Sequence, residues 1–237
     1  MGHEMIPLKD CKDGYIYRIH SRNLIVGLFN KENSGFIGIR EKFGHHYLFT
    51  EFHRETGAPY GTVSPKEEIG KCPLADLRES LGSFCQTCEK PVDFRKENPD
   101  GTGSWYHLEE TTCEKALAYG KSNRELFKYL EPIEKRVSLQ NYVEDIEEYQ
   151  NPSFFQSHVR GGFQHGLFTE KELAEEFDIS IPTAKRWIDG ESKPAEPMQK
   201  YVFEWLKKKA KGKLAVDELT SEAQRLGLYD QKDKPNV

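Results

Sequence analysis

The chain contains no long run of apolar residues. Its longest such stretch, Leu24 to Phe29, is far too short to cross a lipid bilayer, which takes about 20 residues as a helix. Residues 1 to 7 contain neither the basic segment nor the apolar segment of a secretory signal peptide. We therefore expect a cytoplasmic protein without a membrane-spanning segment.

An excess of positive charge is also missing. Lys and Arg number 34 against 39 Asp and Glu, so the formal net charge is -5. This balance excludes a general coat for nucleic acid, and any nucleic-acid binding must use a local patch. Aromatic residues make up 12% of the chain, which argues against wholesale disorder, and the mean hydropathy of -0.76 describes a polar, soluble protein.

The common catalytic and nucleotide-binding motifs are absent from the sequence. There is no Walker phosphate loop, no G-x-G-x-x-G, no G-x-S-x-G and no H-E-x-x-H. Glu51 and His53 lie two residues apart on a predicted strand and so share a face, as in part of a metallohydrolase site. Because no complete motif accompanies them, we expect polar positions on an exposed sheet face. A metal-dependent nuclease is the third hypothesis for function.

Cysteine is scarce, with five residues in 237, and three of them fall inside one short segment. Cys85-x-x-Cys88 is followed by eighteen residues, His107, five residues and Cys113. An odd number of clustered cysteines favours metal ligation over a disulfide framework, and two ligand pairs separated by a loop have the spacing of a tetrahedral zinc site. We therefore predict one zinc ion held by Cys85, Cys88, His107 and Cys113.

The residues between the two ligand pairs predict the element that joins them. Cys85 to Pro91 has the composition of a knuckle turn, and two short strands joined by a turn at Asn98 to Gly103 return the chain to His107. Residues 85 to 113 thereby resemble a small zinc ribbon. Four protein ligands leave no coordination position for water, so the metal is expected to be structural. Cys72 is an alternative to His107 as the fourth ligand.

Residues 14 to 63 contain four short stretches with the composition of strands, separated by turns. They predict an antiparallel meander or small barrel, with a further strand starting near Thr62. The region also resembles uncharacterised phage and bacterial proteins, a resemblance that implies no function. One small sheet buries one face, so its many ring side chains require cover. The cover is either a protein partner, which includes a second copy of the chain, or a helix predicted around Leu117 to Leu130.

The C-terminal part carries a second strong pattern. Thr169 begins a capping box, and Ser180 caps a second helix that has Pro182 in its first turn and ends at Gly190. Residues 166 to 210 resemble the helix-turn-helix of Cro and phage-repressor-type regulators. The matching core residues are Leu173, Ala174, Ile179, Ala184 and Trp187, and a last helix from Pro197 to Lys209 is expected to bury Met198, Tyr201, Val202, Trp205 and Leu206.

The sequence departs from that family at two places. Asp178 stands at the turn position where glycine is usual, and no stretch upstream of Phe168 matches the family's first helix. The resemblance implies that the second helix enters the major groove of double-stranded DNA. Its groove face would consist of Ser180, Ile181, Pro182, Lys185 and Arg186, with Thr169, Thr183 and Lys193 near phosphates.

These patterns predict an α+β chain of five segments. They are an antiparallel β module at 1–71, a zinc-ribbon-like module and helix at 72–132, an acidic connector at 133–165, a helix-turn-helix domain at 166–213 and a tail at 214–237. The leading hypothesis is sequence-specific DNA binding, as a regulator or as an accessory factor of a phage or mobile element. The alternative is a non-enzymatic protein-interaction factor that uses the helix-turn-helix as a scaffold. Residues 167 to 213 carry ten basic and nine acidic side chains, a balance that leaves both readings open.

Overall fold

The chain divides into two compact units, Met1–Val137 and Ser138–Val237, and each has a core of its own. It has the predicted α+β architecture, with an N-terminal antiparallel sheet followed by a C-terminal helical region. The computed structural model describes residues 5–32, 34–42, 45–52, 63–80, 85, 87, 90, 92–97, 103–108, 110–113 and 123–225.

The N-terminal unit is built on a five-stranded antiparallel sheet. Its strands are β1 (Tyr15–His20), β2 (Val26–Asn30), β3 (Gly35–Lys42), β4 (His45–Phe52) and β5 (Ser64–Lys71). They lie in the order β4-β3-β2-β1-β5, so the first four strands form the predicted meander. The fifth strand pairs with β1, on the side that β2 leaves open.

Apolar side chains lie on both faces of this sheet. Because alternate residues of a strand point to opposite faces, Ile16 and Leu28 belong to one apolar cluster and Tyr17 and Phe29 to another. The first cluster includes Leu126, Leu130 and Val137 from the helix that follows. In the second cluster the Tyr17 ring meets the Phe29 and Phe36 rings edge-on, with centroids 6.4 and 6.2 Å apart. These three rings are buried within the unit itself.

A long helix, α1 (Arg124–Glu148), occupies much of the region where we expected an acidic connector. A proline inside a helix usually ends or kinks it, but α1 does not end at Pro132 and continues to Glu148. The apolar face continues on both sides of the proline, with Leu130 and Val137 buried in one core and Ile146 in the other. Packing of that face offsets the backbone hydrogen bond that proline removes. The acidic side chains that suggested a connector lie on the exposed side of α1, at Asp145, Glu147 and Glu148.

In the residues that the structure describes, the C-terminal unit contains the end of α1 and four further α-helices. These are α2 (Phe155–Gln164), α3 (Glu170–Glu176), α4 (Ile181–Asp189) and α5 (Glu196–Arg225). The two helices predicted after Thr169 and Ser180 are therefore confirmed as α3 and α4. Their buried residues, Leu173, Ala174, Ala184, Trp187 and Ile188, join one apolar core with residues of α1, α2 and α5.

The last helix differs from the prediction in its length and in which of its sides is buried. It runs to Arg225, so the first part of the predicted tail is helical, and residues 226–237 lie outside the described part. The prediction that Met198 and Tyr201 are buried is wrong, since they are 36% and 70% exposed. The buried face starts one residue after Met198, and its members are three or four positions apart, so they share one face of the helix. It consists of Gln199, Val202, Phe203, Leu206 and Ala210.

Candidate metal centre and nucleic-acid interface

A hairpin in the N-terminal unit positions the predicted metal ligands. Its strands, β6 (Val92–Lys96) and β7 (Gly103–His107), pair with Val92 opposite His107. Just before β6, the backbone N–H of Cys85 donates to the carbonyl oxygen of Lys90 at 2.8 Å and closes a turn. The last residue of β7 is thereby brought beside the turn that carries Cys85. Both predicted strands are therefore confirmed, one before Asn98 and one that returns to His107.

Three of the four predicted ligands form a compact group. The ligand atoms of Cys85, His107 and Cys113 all lie within 4.8 Å of one another, and the two sulfur atoms are 3.9 Å apart. Two thiolates bound to one tetrahedral zinc are about 3.8 Å apart, whereas the sulfurs of a disulfide are about 2.0 Å apart. Cys85 is buried, and the other two side chains are half-buried. These side chains can hold a metal ion, and their spacing suits a tetrahedral one.

Two further cysteines bear on the ligand set: Cys88, the remaining predicted ligand, and Cys72, the alternative to His107. Cys88 lies outside the described residues. Cys72 is 1% exposed and belongs to the apolar cluster of the sheet, together with Ile16 and Leu126. Burial raises the pKa of the Cys72 thiol, so this side chain resists the deprotonation that metal ligation requires. Within the described part of the chain, His107 and not Cys72 joins the two cysteines.

Local hydrogen bonds fix the start of α3 and the turn that follows it. The Thr169 hydroxyl accepts from the backbone N–H of Glu172 at 3.2 Å, and the Glu172 carboxylate accepts from the N–H of Thr169 at 2.8 Å. This confirms the capping box, and the bond from the Thr169 backbone is the main cause that lowers the pKa of Glu172. Asp178 adopts the left-handed conformation with φ 50°, so it fills the position where glycine is usual.

The helix α4 has a buried side and an exposed side. Ala184, Trp187 and Ile188 point into the core, where the Trp187 ring packs edge-on against Phe155 with centroids 5.8 Å apart. All five residues predicted for the groove face are exposed. They are Ser180, Ile181, Pro182, Lys185 and Arg186, and the predicted phosphate ligand Lys193 is exposed as well.

The C-terminal end of α4 is held by side chains from α2. Gln156 Nε2 donates to the carbonyl oxygen of Gly190 at 2.5 Å, and the Arg160 guanidinium donates to that of Asp189 at 2.8 Å. Gly190 ends the helix as predicted, with φ 83°. Both bonds use carbonyl groups that a helix end leaves without partners inside the helix. The direction of α4 is therefore fixed at both ends, by the Ser180 cap and by α2.

The sequence did not reveal α2, which lies upstream of Phe168 where no first helix was recognised. Its buried residues, Phe155, His158, Val159 and Gly162, follow helical spacing, and this was the available signal. The pair Gly161–Gly162 obscured it because adjacent glycines usually indicate a loop. A Cβ atom at Gly161 would lie 2.8 Å from the Tyr142 ring, so tertiary packing explains the glycine there.

The hydroxyl groups that were predicted to contact DNA form hydrogen bonds within the protein. Thr169 belongs to the capping box, and Ser180 Oγ accepts from the backbone N–H of Thr183 at 3.3 Å. Thr183 Oγ1 lies 2.9 Å from Ser180 Oγ and accepts from the Arg186 guanidinium at 3.1 Å. These hydroxyls therefore act first as helix caps and as a support for Arg186.

The lysine run of α5 is partly neutralised inside the C-terminal unit. The Lys207, Lys209 and Lys211 ammonium groups lie 2.7, 3.4 and 2.5 Å from carboxylate oxygens of acidic residues. The partners are Glu204, Glu172 and Glu147, respectively. The run is therefore not an uncompensated basic patch. The cations of α4, Lys185 and Arg186, are both exposed.

The Glu51 carboxylate, part of the third hypothesis, has structural partners in the N-terminal unit. Ser21 Oγ donates to it at 2.6 Å and Asn23 Nδ2 at 3.0 Å, and both donors belong to the loop between β1 and β2. His53 lies outside the described residues. These bonds fasten that loop against β4.

No protein-family model, curated protein or solved structure matches the chain. In the described part of the chain, none of the helices combines the length and apolar character needed to span a membrane. What the geometry defines is a Cys/His group able to hold a metal in one unit and a well-supported helix with an exposed polar and apolar face in the other.

Proposed function

We propose that this protein binds double-stranded DNA through α4 and uses a structural zinc ion to fold its N-terminal hairpin. The observation that carries the proposal is the exposed face of α4. Arg186 and Lys185 stand on it beside Ile181 and Pro182, while the opposite side is anchored in the core. A helix that is fixed at both ends and exposes its first two turns suits entry into the major groove.

The chemistry of this face suits base edges. Arginine and lysine donate to O6 and N7 of guanine, and apolar side chains such as Ile181 contact the methyl group of thymine. The bond to Thr183 Oγ1 holds the Arg186 guanidinium on its own helix, which reduces the side-chain entropy that binding would otherwise cost. We therefore assign recognition to Lys185, Arg186, Ile181 and Pro182, and phosphate contact to Lys193.

Electrostatics limit this mode of binding. The exposed side of α3 carries acidic residues, such as Glu175 and Glu176, that repel phosphates. A protein that makes few phosphate contacts releases few counterions, so we expect a shallow dependence of affinity on salt, with a log–log slope of roughly -2 to -3. Sequence preference then comes from base contacts rather than from a general attraction. Such a protein would act as a regulator or as an accessory factor of a phage or mobile element.

The zinc ion would supply folding energy. Cys85, His107 and Cys113 with Cys88 would complete a tetrahedral site that has no position for a reacting water molecule. The segment around them is too small to bury a sizeable core, which is the usual setting for a structural metal.

The test is selection of a preferred duplex from random DNA with the full chain, followed by titration of variants on that duplex. Arg186→Ala should weaken binding by about 1–3 kcal/mol and relax the preference at one base pair. The matched control is Lys128→Ala, which removes an exposed cation from α1 in the N-terminal unit and should change little. Undiminished binding by both Lys185→Ala and Arg186→Ala would make the groove assignment wrong.

One observation favours the alternative function, a protein-interaction factor. Ile181 is 49% exposed at the start of α4, and the preceding helix α3 carries exposed acidic residues. The same selection separates the two functions, since a protein-interaction factor enriches no duplex at any salt concentration. In that case Ile181→Asp, and not Arg186→Ala, would be the variant that loses the partner.

A further inference from the structure

The four cysteines that the structure describes are of two kinds. Cys11 and Cys72 are 5% and 1% exposed, and each belongs to an apolar cluster of the sheet. Burial is the main cause that raises the pKa of both thiols, that of Cys11 to about 11, so both are protonated and unreactive at neutral pH. Cys85 and Cys113 differ, because their Sγ atoms are 3.9 Å apart. This second pair is placed to react within itself.

Access to solvent differs between the two members of the pair. Cys85 is 1% exposed, whereas Cys113 is half-buried. An oxidant that arrives from solvent therefore meets the Cys113 sulfur first, and the Cys85 sulfur lies within 3.9 Å of it. Cysteines that respond to oxidants combine thiolate character and access with a neighbouring cysteine that resolves the first product. Metal ligation supplies the thiolate character, because a thiol that binds a metal has lost its proton.

We propose that the Cys/His group is also a redox switch, in which hydrogen peroxide joins Cys85 to Cys113 through a disulfide. The proposal rests on the zinc site proposed above. The Cys113 thiolate attacks one oxygen of the peroxide, the O–O bond breaks, and a sulfenic acid forms on Cys113 while hydroxide leaves. The Cys85 thiolate then attacks that sulfur and displaces its oxygen as a second hydroxide. In all, the two sulfurs lose two electrons, and two protons from solvent convert the two hydroxides into water.

The reaction needs little movement and removes half of the ligand set. The sulfurs of a disulfide are about 2.0 Å apart, so the two atoms must approach each other by about 2 Å. His107 and Cys88 would remain, and two ligands are too few for a structural zinc ion, which takes four. Cys85 and Cys113 are 28 positions apart, and both strands of the hairpin lie between them. The disulfide therefore joins the same two segments of the chain that the metal would join.

Oxidation would act on one unit of the chain. All five cysteines precede residue 138, so the C-terminal unit contains none. That unit is held by an apolar core and by helix caps, neither of which depends on a thiol. We therefore expect α4 to keep its exposed face in both redox states, while the N-terminal hairpin exchanges a metal for a covalent link.

The experiment treats the full chain, purified with its metal, with hydrogen peroxide and follows free zinc with a coloured chelator. Zinc content is measured before the oxidant is added, which tests the zinc site by itself. We expect release of about one equivalent relative to untreated chain, together with a loss of two hydrogen atoms from the intact mass. Peptide mapping without reductant should find the peptide of Cys85 joined to that of Cys113. A thiol reductant with added zinc should restore the starting state.

Cys11→Ser and Cys72→Ser are the matched controls, because each removes a buried thiol outside the metal group and should release zinc as the parent does. Far-UV circular dichroism should show that the helices persist in the oxidised chain. A chain that holds zinc and keeps it under peroxide would overturn the switch and leave the zinc site in place. Release through a link between Cys85 and Cys88, or through sulfinic acids, would overturn the switch as well. A chain purified without zinc would contradict both the zinc site and the switch.

Discussion

The two units hold their candidate functional residues in place by different means. In the N-terminal unit, Cys85, His107 and Cys113 lie on a turn, a strand end and a short connection, and Tyr106 and Leu108 beside them are exposed. In the C-terminal unit, α4 is anchored by Trp187 in an apolar core. The first arrangement is a group of side chains that can hold a metal ion, and the second is held by packing and helix caps.

This difference predicts that a change which disrupts the metal site leaves α4 folded, and that a change which disrupts the core around α4 leaves the metal site intact. A metal ion acts on the few residues that bind it, whereas an apolar core acts cooperatively on every helix that contributes to it. The three tryptophans of the chain are useful reporters. Trp105 lies on β7 of the hairpin, and Trp187 and Trp205 lie in the C-terminal unit.

The largest expected effect is removal of the metal. The purified chain should contain about one equivalent of zinc, and Cys85→Ser should lose it together with the hairpin, since structural zinc contributes roughly 10–16 kcal/mol in small modules. Elemental analysis measures the metal, and far-UV circular dichroism should show that the helices persist. Cys11→Ser is the matched control, because Cys11 is equally buried but lies outside the metal group.

The same assay identifies the fourth ligand. His107→Ala should release the metal, and Cys72→Ser should retain it, because Cys72 lies in the apolar cluster of the sheet. The reverse pattern would show that Cys72 replaces His107. Full retention of zinc by both Cys85→Ser and Cys88→Ser would remove the proposed centre altogether.

The next effect in size concerns the apolar core of the other unit. Trp187→Ala should destabilise the C-terminal unit by about 3–5 kcal/mol, because it opens a cavity beside Phe155. Thermal unfolding followed by circular dichroism measures the loss, and the zinc content should not change. Tyr201→Ala removes an aromatic ring that is 70% exposed and should stay within about 0.5 kcal/mol of the parent. Loss of zinc in Trp187→Ala would show that the two sites are coupled.

Features with local causes were predictable from the sequence. The capping box at Thr169, the cap at Ser180 and the stop at Gly190 depend on neighbouring residues, and all three are confirmed. The meander and the hairpin follow from strand composition and turn signals. The grouping of Cys85, His107 and Cys113 follows from hairpin pairing, which returns His107 to the turn.

Features with tertiary causes were not predictable. The Gly161–Gly162 pair lies within α2 because Tyr142 packs against it, and a single sequence does not show that contact. Met198 and Tyr201 are as apolar as their buried neighbours, so composition alone could not decide which face of α5 enters the core. The fifth strand was expected to start near Thr62 and starts at Ser64, but its pairing with β1, more than forty positions away, was not predicted.

The smallest effect is a dependence on pH in the N-terminal unit, at Glu134 of α1. Burial, assisted by the charge of Glu131, raises the pKa of this carboxyl from 4.5 to about 7, against the opposing influence of Lys135. Below pH 4.5 the group is protonated in the folded and unfolded chains alike, so it has no effect on stability. Between pH 4.5 and 7 only the folded chain keeps the proton, so stability falls as the pH rises, and the full cost is present above pH 7.

Glu134→Gln should therefore stabilise the chain by about 1–2 kcal/mol at pH 8 and by less at pH 6. Glu125→Gln, an exposed change on the same helix, should show no such trend. Denaturant unfolding of parent and variants at the two pH values measures the difference, and a stabilisation by Glu134→Gln that is equal at both would contradict the assignment.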